Sequence, residues 1–440
     1  MISSVNVALP AIQADLHLNA VQLSWIATSY LLAVAVGLIP AGKIADIHGR
    51  KKVFSTGLII YTLGATTAAF AGTAAWLIFF RVIQGLGAGM FVTTGMAILT
   101  SIFPPQKRGR VIGIYVAAVY VGLSVGPFVG GFLTQQFGWR SIFLVMFPLG
   151  LSSILITLSF LKGEWADAHS QRLDVPGSLI YAAAICSLVY GASILPSLTG
   201  AILIPVGLLG LLLFFWQQSR TPYPVFEVSL FRENHTFAFS SLAALLNYSA
   251  TFAVTFLMSL YLQYIKGMTP QNAGIILMAQ PIMMAIFSPI AGRLSDRMEP
   301  RLLASLGMAI TVIGMAAFTQ LHTDSSLVGI TGDLLLLGFG FALFSSPNMS
   351  AIMGAVTKEQ YGVASGAVAT MRLMGQMVSM AVATVALALL VGREAIAPSN
   401  YDRFLLCTRT VFTISALLCI VGVYFSLFRG RMRQSGDRAV

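Results

Sequence analysis

Charged residues are scarce in this chain: Asp, Glu, Lys and Arg make up 9% of its 440 residues, while 57% are hydrophobic. Soluble domains carry about a quarter charged residues, so a solvated globule is excluded. The alternating segments of about ten residues that mark a transmembrane barrel are lacking too, because the apolar runs are continuous and about 20 residues long. Only three cysteines occur, Cys186, Cys407 and Cys419. They sit in apolar stretches without CxxC spacing or a nearby His, which implies neither a disulfide framework nor a metal site and leaves packing as their role. The phosphate-binding pattern G-x-x-x-x-G-K-[ST] is missing, so no ATP site is expected. No cofactor and no catalytic residue is implied, and the expectation is a protein that is not an enzyme. What remains is a polytopic α-helical membrane protein, in keeping with a mean hydropathy of +0.84.

Apolar runs bounded by Gly, Pro and charge place spans near 22–42, 53–72, 76–99, 111–133, 140–161, 175–195, 199–217, 236–262, 272–292, 302–321, 327–348, 362–391 and 404–428. Ahead of them MISSVNVALP is too short to cross, since ten helical residues rise only about 15 Å against a hydrocarbon core of about 30 Å. The expectation is a first helix that begins upstream of this sequence. The net charge of +11 raises the question of a nucleic-acid partner, and the placement of the cations answers it. If the loop 43–52 is cytoplasmic, alternation puts 19 of the 26 Lys and Arg residues on that side, five on the other, and Arg81 and Arg372 within spans. That asymmetry is the positive-inside pattern of a bilayer protein, with the C-terminus cytoplasmic and no nucleic acid required.

An internal repeat follows. AGKIAD at 41–46 returns as AGRLSD at 291–296, each at the same end of an apolar run. The two runs are eight helices apart rather than six, so two extra helices lie between duplicated six-helix units. The expected organisation is a six-helix bundle over 1–162, an inserted pair over 163–222, and a second six-helix bundle with a short basic tail over 223–440. Tandem repeats of this kind bind substrate between the halves near the membrane midplane.

GKIADIHGRKK, Gly42 to Lys52, gathers four cations and one carboxylate into eleven residues. Gly42 and Gly49 allow close approach and a tight turn, and Arg50 with its neighbours holds the turn at the membrane face. Asp46 adds nothing to a topology signal and suits a hydrogen bond to an arginine or a helix N-terminus. The pattern resembles the loop signature of the major facilitator superfamily. LIFFRVIQGLGAG (77–89), GLSVGPFVGG (122–131), NVALP (6–10), FGWRSIF (137–143) and VFEVSLFRENHTF (225–237) extend the resemblance to its fourteen-helix drug:proton antiporters, often called the EmrB/QacA type. The resemblance implies the major facilitator fold, two six-helix bundles plus two inserted helices, with about 14 spans and the first incomplete. It also implies gating roles for Gly42, Asp46, Gly49, Arg50, Gly122, Gly126, Pro127, Gly130, Gly131, Gly292 and Asp296. In relatives the first helix carries an aspartate that aligns with Met1, so that site is absent from this chain.

Individual residues carry their own physical readings. A cation in the membrane is costly unless paired or hydrated, so Arg81 should face a cavity or a partner, with Gln84 on the same helix face. Arg81 either tunes proton binding, as the resemblance implies, or is tied to backbone carbonyls. Gly122, Gly126 and Gly130 form a ridge of small residues, and Pro127 removes one backbone donor. Asp333 lies within a span, where a carboxyl can alternate between protonated and ionised forms, although capping the helix start is the competing role. Arg372 repels cationic substrates, pairs with Asp333 or anchors its helix. For the cavity we select Tyr30, Asn247, Tyr248, Phe252, Gln280, Met283, Met284, Asn348 and Gln376 together with Gln84, since Met and aromatic faces suit lipophilic cations. The expected function is proton-coupled efflux of amphipathic, cationic compounds by a monomer in the inner membrane, driven by the proton gradient alone. Export of one endogenous metabolite, or a receptor without transport, are the alternatives.

Overall fold

The computed structural model describes residues 1–103, 105–166, 171–295, 297–356, 361–392 and 394–430, and among them no strand forms. The helices are α1 (Ile2–Leu16), α2 (Ala20–His48), α3 (Arg50–Ala68), α4 (Ala74–Ile102), α5 (Pro105–Phe137), α6 (Arg140–Leu144), α7 (Met146–Phe160), α8 (Val175–Ser193) and α9 (Leu198–Gln218). They continue as α10 (Ser229–Glu233), α11 (His235–Thr251), α12 (Ala253–Leu260), α13 (Pro270–Leu277), α14 (Ala279–Ser295), α15 (Pro300–Phe318), α16 (Leu327–Gly354), α17 (Tyr361–Ala386) and α18 (Tyr401–Phe428). In a bilayer each backbone group needs an internal partner, which is why the apolar runs become helices. Their starts are set by side-chain caps: Asn19 with Gln22 in a capping box, Thr73, Asp174, Ser197, Asn234, Thr269 and Ser326.

Eleven helices among the described residues are long and apolar enough to cross a membrane. Three runs that read as single spans are broken, at Val145, Phe252 and Met278. Two breaks have a proline cause: Pro148 and Pro281 lack the N–H that would reach Leu144 and Leu277. The third has a side-chain cause, because the Ala253 N–H donates to Ser379 Oγ at 3.0 Å instead of closing its own helix turn. Single π-helical turns follow α12 (Tyr261–Ile265) and α17 (Leu387–Val391).

Early in the chain α2 and α3 pack on α4, α1 on α5, and α3 on α7. Late in the chain α15 packs on α16 and α18, α11 on α17 and α18, and α14 on α16. The two sets meet where α5 lies against α13 and α14, α2 against α17, and α1 against α12. Helices α8 and α9 pack mainly on each other, with α8 also touching α2 and α17.

Candidate functional site

A cavity of about 150 Å³ opens between the two sets of helices. Tyr248 of α11, Phe252 at the break between α11 and α12, Gln280 and Met284 of α14 and Gln376 of α17 line it, all selected from the sequence. Ser3 and Asn6 of α1, Thr251, Thr255 and Phe341 also line it, and the sequence reading missed them. Ser3 Oγ and Asn6 Oδ1 are buried without hydrogen-bond partners. Their i,i+3 spacing puts both on one face of α1, a signal present in MISSVNVALP. Tyr248 meets Phe341 edge to face at 5.3 Å between ring centroids. No carboxylate lines the cavity among the described residues, so a cation there would be held by aromatic faces and amide oxygens.

The other selected residues lie elsewhere. Asn247 is fully buried and neither end of its amide finds a partner. Its neighbours Ala243, Ala244 and Ala250 pack in the cluster with Met308 and Phe344, and Asn247 does not line the cavity. Met283 backs onto Gly338 of α16 instead of the cavity. Asn348 serves the far end of the same set, donating to Ser240 O at 3.0 Å and accepting from buried Arg429 at 2.7 Å.

Tyr30 and Gln84 belong with Arg81. Arg81 is fully buried, donates through Nε to Ile26 O at 3.0 Å and through its guanidinium to Gln84 Oε1 at 2.6 Å, and stacks over the Tyr30 ring at 4.2 Å. The carbonyl tie is therefore visible, while Nη2 has no partner. Gln84 Nε2 reaches Met1 Sδ at 2.8 Å, and the Tyr61 hydroxyl reaches the same sulfur at 3.2 Å. Position 1, where the resemblance places an aspartate in relatives, thus sits against this network.

Asp333 is half-buried in α16 beside Gly314 of α15 and does not line the cavity. Arg372 Nε is buried without a partner, and no ion pair joins Arg372 to Asp333. Pairing is thereby removed from the three roles considered for Arg372. It lies one turn from Gln376 on the same face of α17.

The glycine ridge of α5 is a two-sided seam. A Cβ at Gly126 would strike Ser3 Oγ, and one at Gly130 would lie 2.7 Å from Ser4 Cβ, while one at Gly131 would strike Pro270 O. Pro127 O blocks any side chain at Gly274 of α13. Gly122 departs from the expectation, since a Cβ there meets nothing within 4 Å. Further contacts close the same end: Ser259 Oγ to Asn6 O at 2.7 Å, Gln263 Nε2 to Val7 O at 2.8 Å, the Tyr264 hydroxyl to Gln13, and Thr28 to Thr384 at 3.4 Å. The Gln271 N–H donates to Gln135 Oε1 at 3.4 Å at the same end, opposite the loop joining α2 to α3.

That loop is pinned locally. Arg50 bonds Asp46 Oδ1 at 2.8 Å and Ser101 Oγ at 2.5 Å, and a Cβ at Gly42 would touch Thr93 at 3.0 Å. Gly49 has φ +117° and faces Glu164, which accepts from Lys51 N at 2.7 Å. Gly292 similarly abuts Ser346, while Asp296 lies outside the described residues.

A helical membrane protein whose polar-edged cavity lies between two packed sets of helices, sealed at one end, has the build of a membrane carrier. The chain matches the Major Facilitator Superfamily over residues 1–380 and again over 240–439, and it belongs to that family. It is 27% identical over 430 residues to the riboflavin transporter RibZ of Clostridioides difficile, covering 97% of this chain and 93% of that protein. It is 32% identical over 387 residues to the multidrug resistance protein Stp of Mycobacterium tuberculosis, covering 86% and 71% respectively. Among solved structures, a bacterial homolog of the human lysosomal transporter Spinster, inward-facing and unoccupied, superposes with a TM-score of 0.68 at 17% identity, covering 97% of this chain and 93% of that one. The protein is thus a multi-pass membrane transporter of the major facilitator type.

Proposed function

We propose that this transporter is a proton-coupled exporter of amphipathic compounds that works by alternating access. The observation that carries the reading is the cavity with unpartnered Ser3 Oγ and Asn6 Oδ1 lying behind a seal at the end remote from the loop between α2 and α3. A carrier at rest between loads needs that arrangement. The cation-rich loops are assigned to the cytoplasm of a bacterial inner membrane, so the sealed end faces outward and the cavity awaits cargo from within. Counting α1, α3 and α5 with the eleven candidate spans makes fourteen, in two six-helix bundles over 1–162 and 223–440 with the pair α8–α9 between them. The 32% identity to a multidrug resistance protein supports the export reading.

Asp333 is the proposed proton carrier, with Arg81 and Arg372 tuning the field around the path. One inward charge at 100 mV supplies about 2.3 kcal/mol, and a pH gradient adds to it. A monomer with no cofactor suffices for such an exchange. A second reading, a carrier for one metabolite, is favoured by the 97% coverage against a riboflavin transporter.

The test is efflux from proteoliposomes under an imposed pH gradient, with a fluorescent lipophilic cation and riboflavin as alternative cargoes, comparing the wild type with Asp333→Asn and Arg81→Gln. Gradient-driven cation efflux lost in Asp333→Asn supports the proposal. Cation efflux that runs equally well without a gradient refutes the coupling, and transport of riboflavin alone replaces the first reading with the second.

A further inference from the structure

A second cavity, of about 630 Å³, is about four times the size of the first, 150 Å³. It lies between the pair α8–α9 and the helices α17 and α18, and its lining is aliphatic or methionine except for Thr410. The Thr410 hydroxyl is already spent on Leu406 O at 2.8 Å. The lining has no aromatic face and no carboxylate, so it offers a flat cation nothing to stack on or pair with. An engineered apolar cavity of about 150 Å³ holds a benzene; on that scale this one has room for roughly two dozen carbons.

Its position narrows the occupant further. Leu188, Ala192 and Thr410 put it in the membrane half remote from the loop between α2 and α3, and Val378 and Leu389, 40% and 52% exposed, open it sideways towards lipid. Two turns before Thr410 on the same face of α18, about 10 Å along the axis, stands exposed Arg403. Arg403 makes no hydrogen bond or ion pair with any described residue, adjacent Asp402 included. The cation sits where a phosphate would lie if an acyl chain ran down into the cavity. We propose that this groove binds one phospholipid of that leaflet, with its phosphate at Arg403 and one acyl chain between α8–α9 and α17. The inserted pair supplies one wall of the site, and α17 separates it from the central cavity, with Met377 on the lipid side and Gln376 on the other.

The experiment uses the full chain in liposomes containing phosphatidylglycerol with a photoactivatable diazirine midway along one acyl chain. Cross-links are mapped by mass spectrometry, with the exposed outer face of α7 at Leu155 and Ile156 as internal reference for plain lipid contact. Labelling at Leu188 and Met377 should exceed the reference about tenfold. Arg403→Gln, a surface change that leaves the core untouched, should cut that ratio about fivefold. Ala381→Phe, which fills the groove, should abolish the excess. Equal labelling of groove and reference in the wild type overturns the proposal, as does an excess that survives both substitutions. An excess lost in Ala381→Phe but unchanged in Arg403→Gln overturns the headgroup assignment.

Discussion

Gly274→Val tests whether the seam between α5 and α13 closes the outer end. A Cβ at Gly274 would overlap Pro127 O and stand 3.0 Å from its carbonyl carbon and 3.4 Å from Phe128 N. Backbone atoms are in the way, so no rotamer change relieves the clash and the two helices must part. Overpacking of this kind costs about 1–3 kcal/mol. With about 1.4 kcal/mol per factor of ten, the closed arrangement should lose roughly 5- to 150-fold in population against the open one. Asn6, 2% exposed and at the cavity wall, is the reporter. In a background with Cys186, Cys407 and Cys419 replaced by Ser, Asn6→Cys is labelled with an impermeant maleimide added from the sealed side. Gly274→Val should raise the labelling rate at least fivefold. Gly122→Val, where a Cβ meets nothing within 4 Å, should leave it unchanged. An unaltered rate in Gly274→Val, or an equal rise in both variants, refutes the assignment of the seam as a gate.

Asn6→Leu removes a buried oxygen that lacks a partner, so thermal stability should rise by an amount near the usual cost of such a group, about 1–3 kcal/mol, while transport falls. A stable variant with unimpaired transport would show that Asn6 does not meet the cargo. Gly49→Ala forces a side chain into φ +117° beside Glu164 and should cost about 1–3 kcal/mol in thermal melts. Adding Glu164→Ser should restore only the steric share, and full restoration would count against backbone strain. Asp15, near the C-terminal end of α1, accepts hydrogen bonds from Arg140 at 2.6 Å and Trp139 at 3.1 Å. Both partners of this ion pair are more than a third exposed, so Asp15→Asn should lower the melting temperature by an amount worth at most about 1 kcal/mol, and less in high salt; a loss that salt does not change would contradict the pairing.

Much of the architecture was legible because bilayer physics writes itself into runs of residues. The thirteen apolar runs all became helices, and the caps at Asn19, Thr73, Ser197 and Thr269 lie where the runs begin. The three mid-run breaks were not read: Pro148 and Pro281 carried the information for two of them, but the third depends on Ser379, 126 residues from its partner Ala253. Of the polar residues singled out within spans, Tyr248, Gln280 and Gln376 reached the central cavity, while Asn247 and Asn348 turned into the packing of the later helices. A polar residue in a helix announces that it needs a partner without saying which neighbour provides one.

The sequence by itself determined the membrane class, the position of the helical runs, the end at which cations collect and the resemblance to a family of carriers. Each of these rests on local periodicity, hydrophobicity or spacing, which a single chain displays without folding. The tertiary structure alone decided that Gly126, Gly130 and Gly131 meet α1 and α13 while Gly122 meets nothing, that Arg81 closes on Ile26, Gln84 and Tyr30, and that the inserted pair leaves an apolar groove against α17. Those outcomes depend on how helices distant in sequence are rotated against each other, and rotation is set by the summed packing of whole faces.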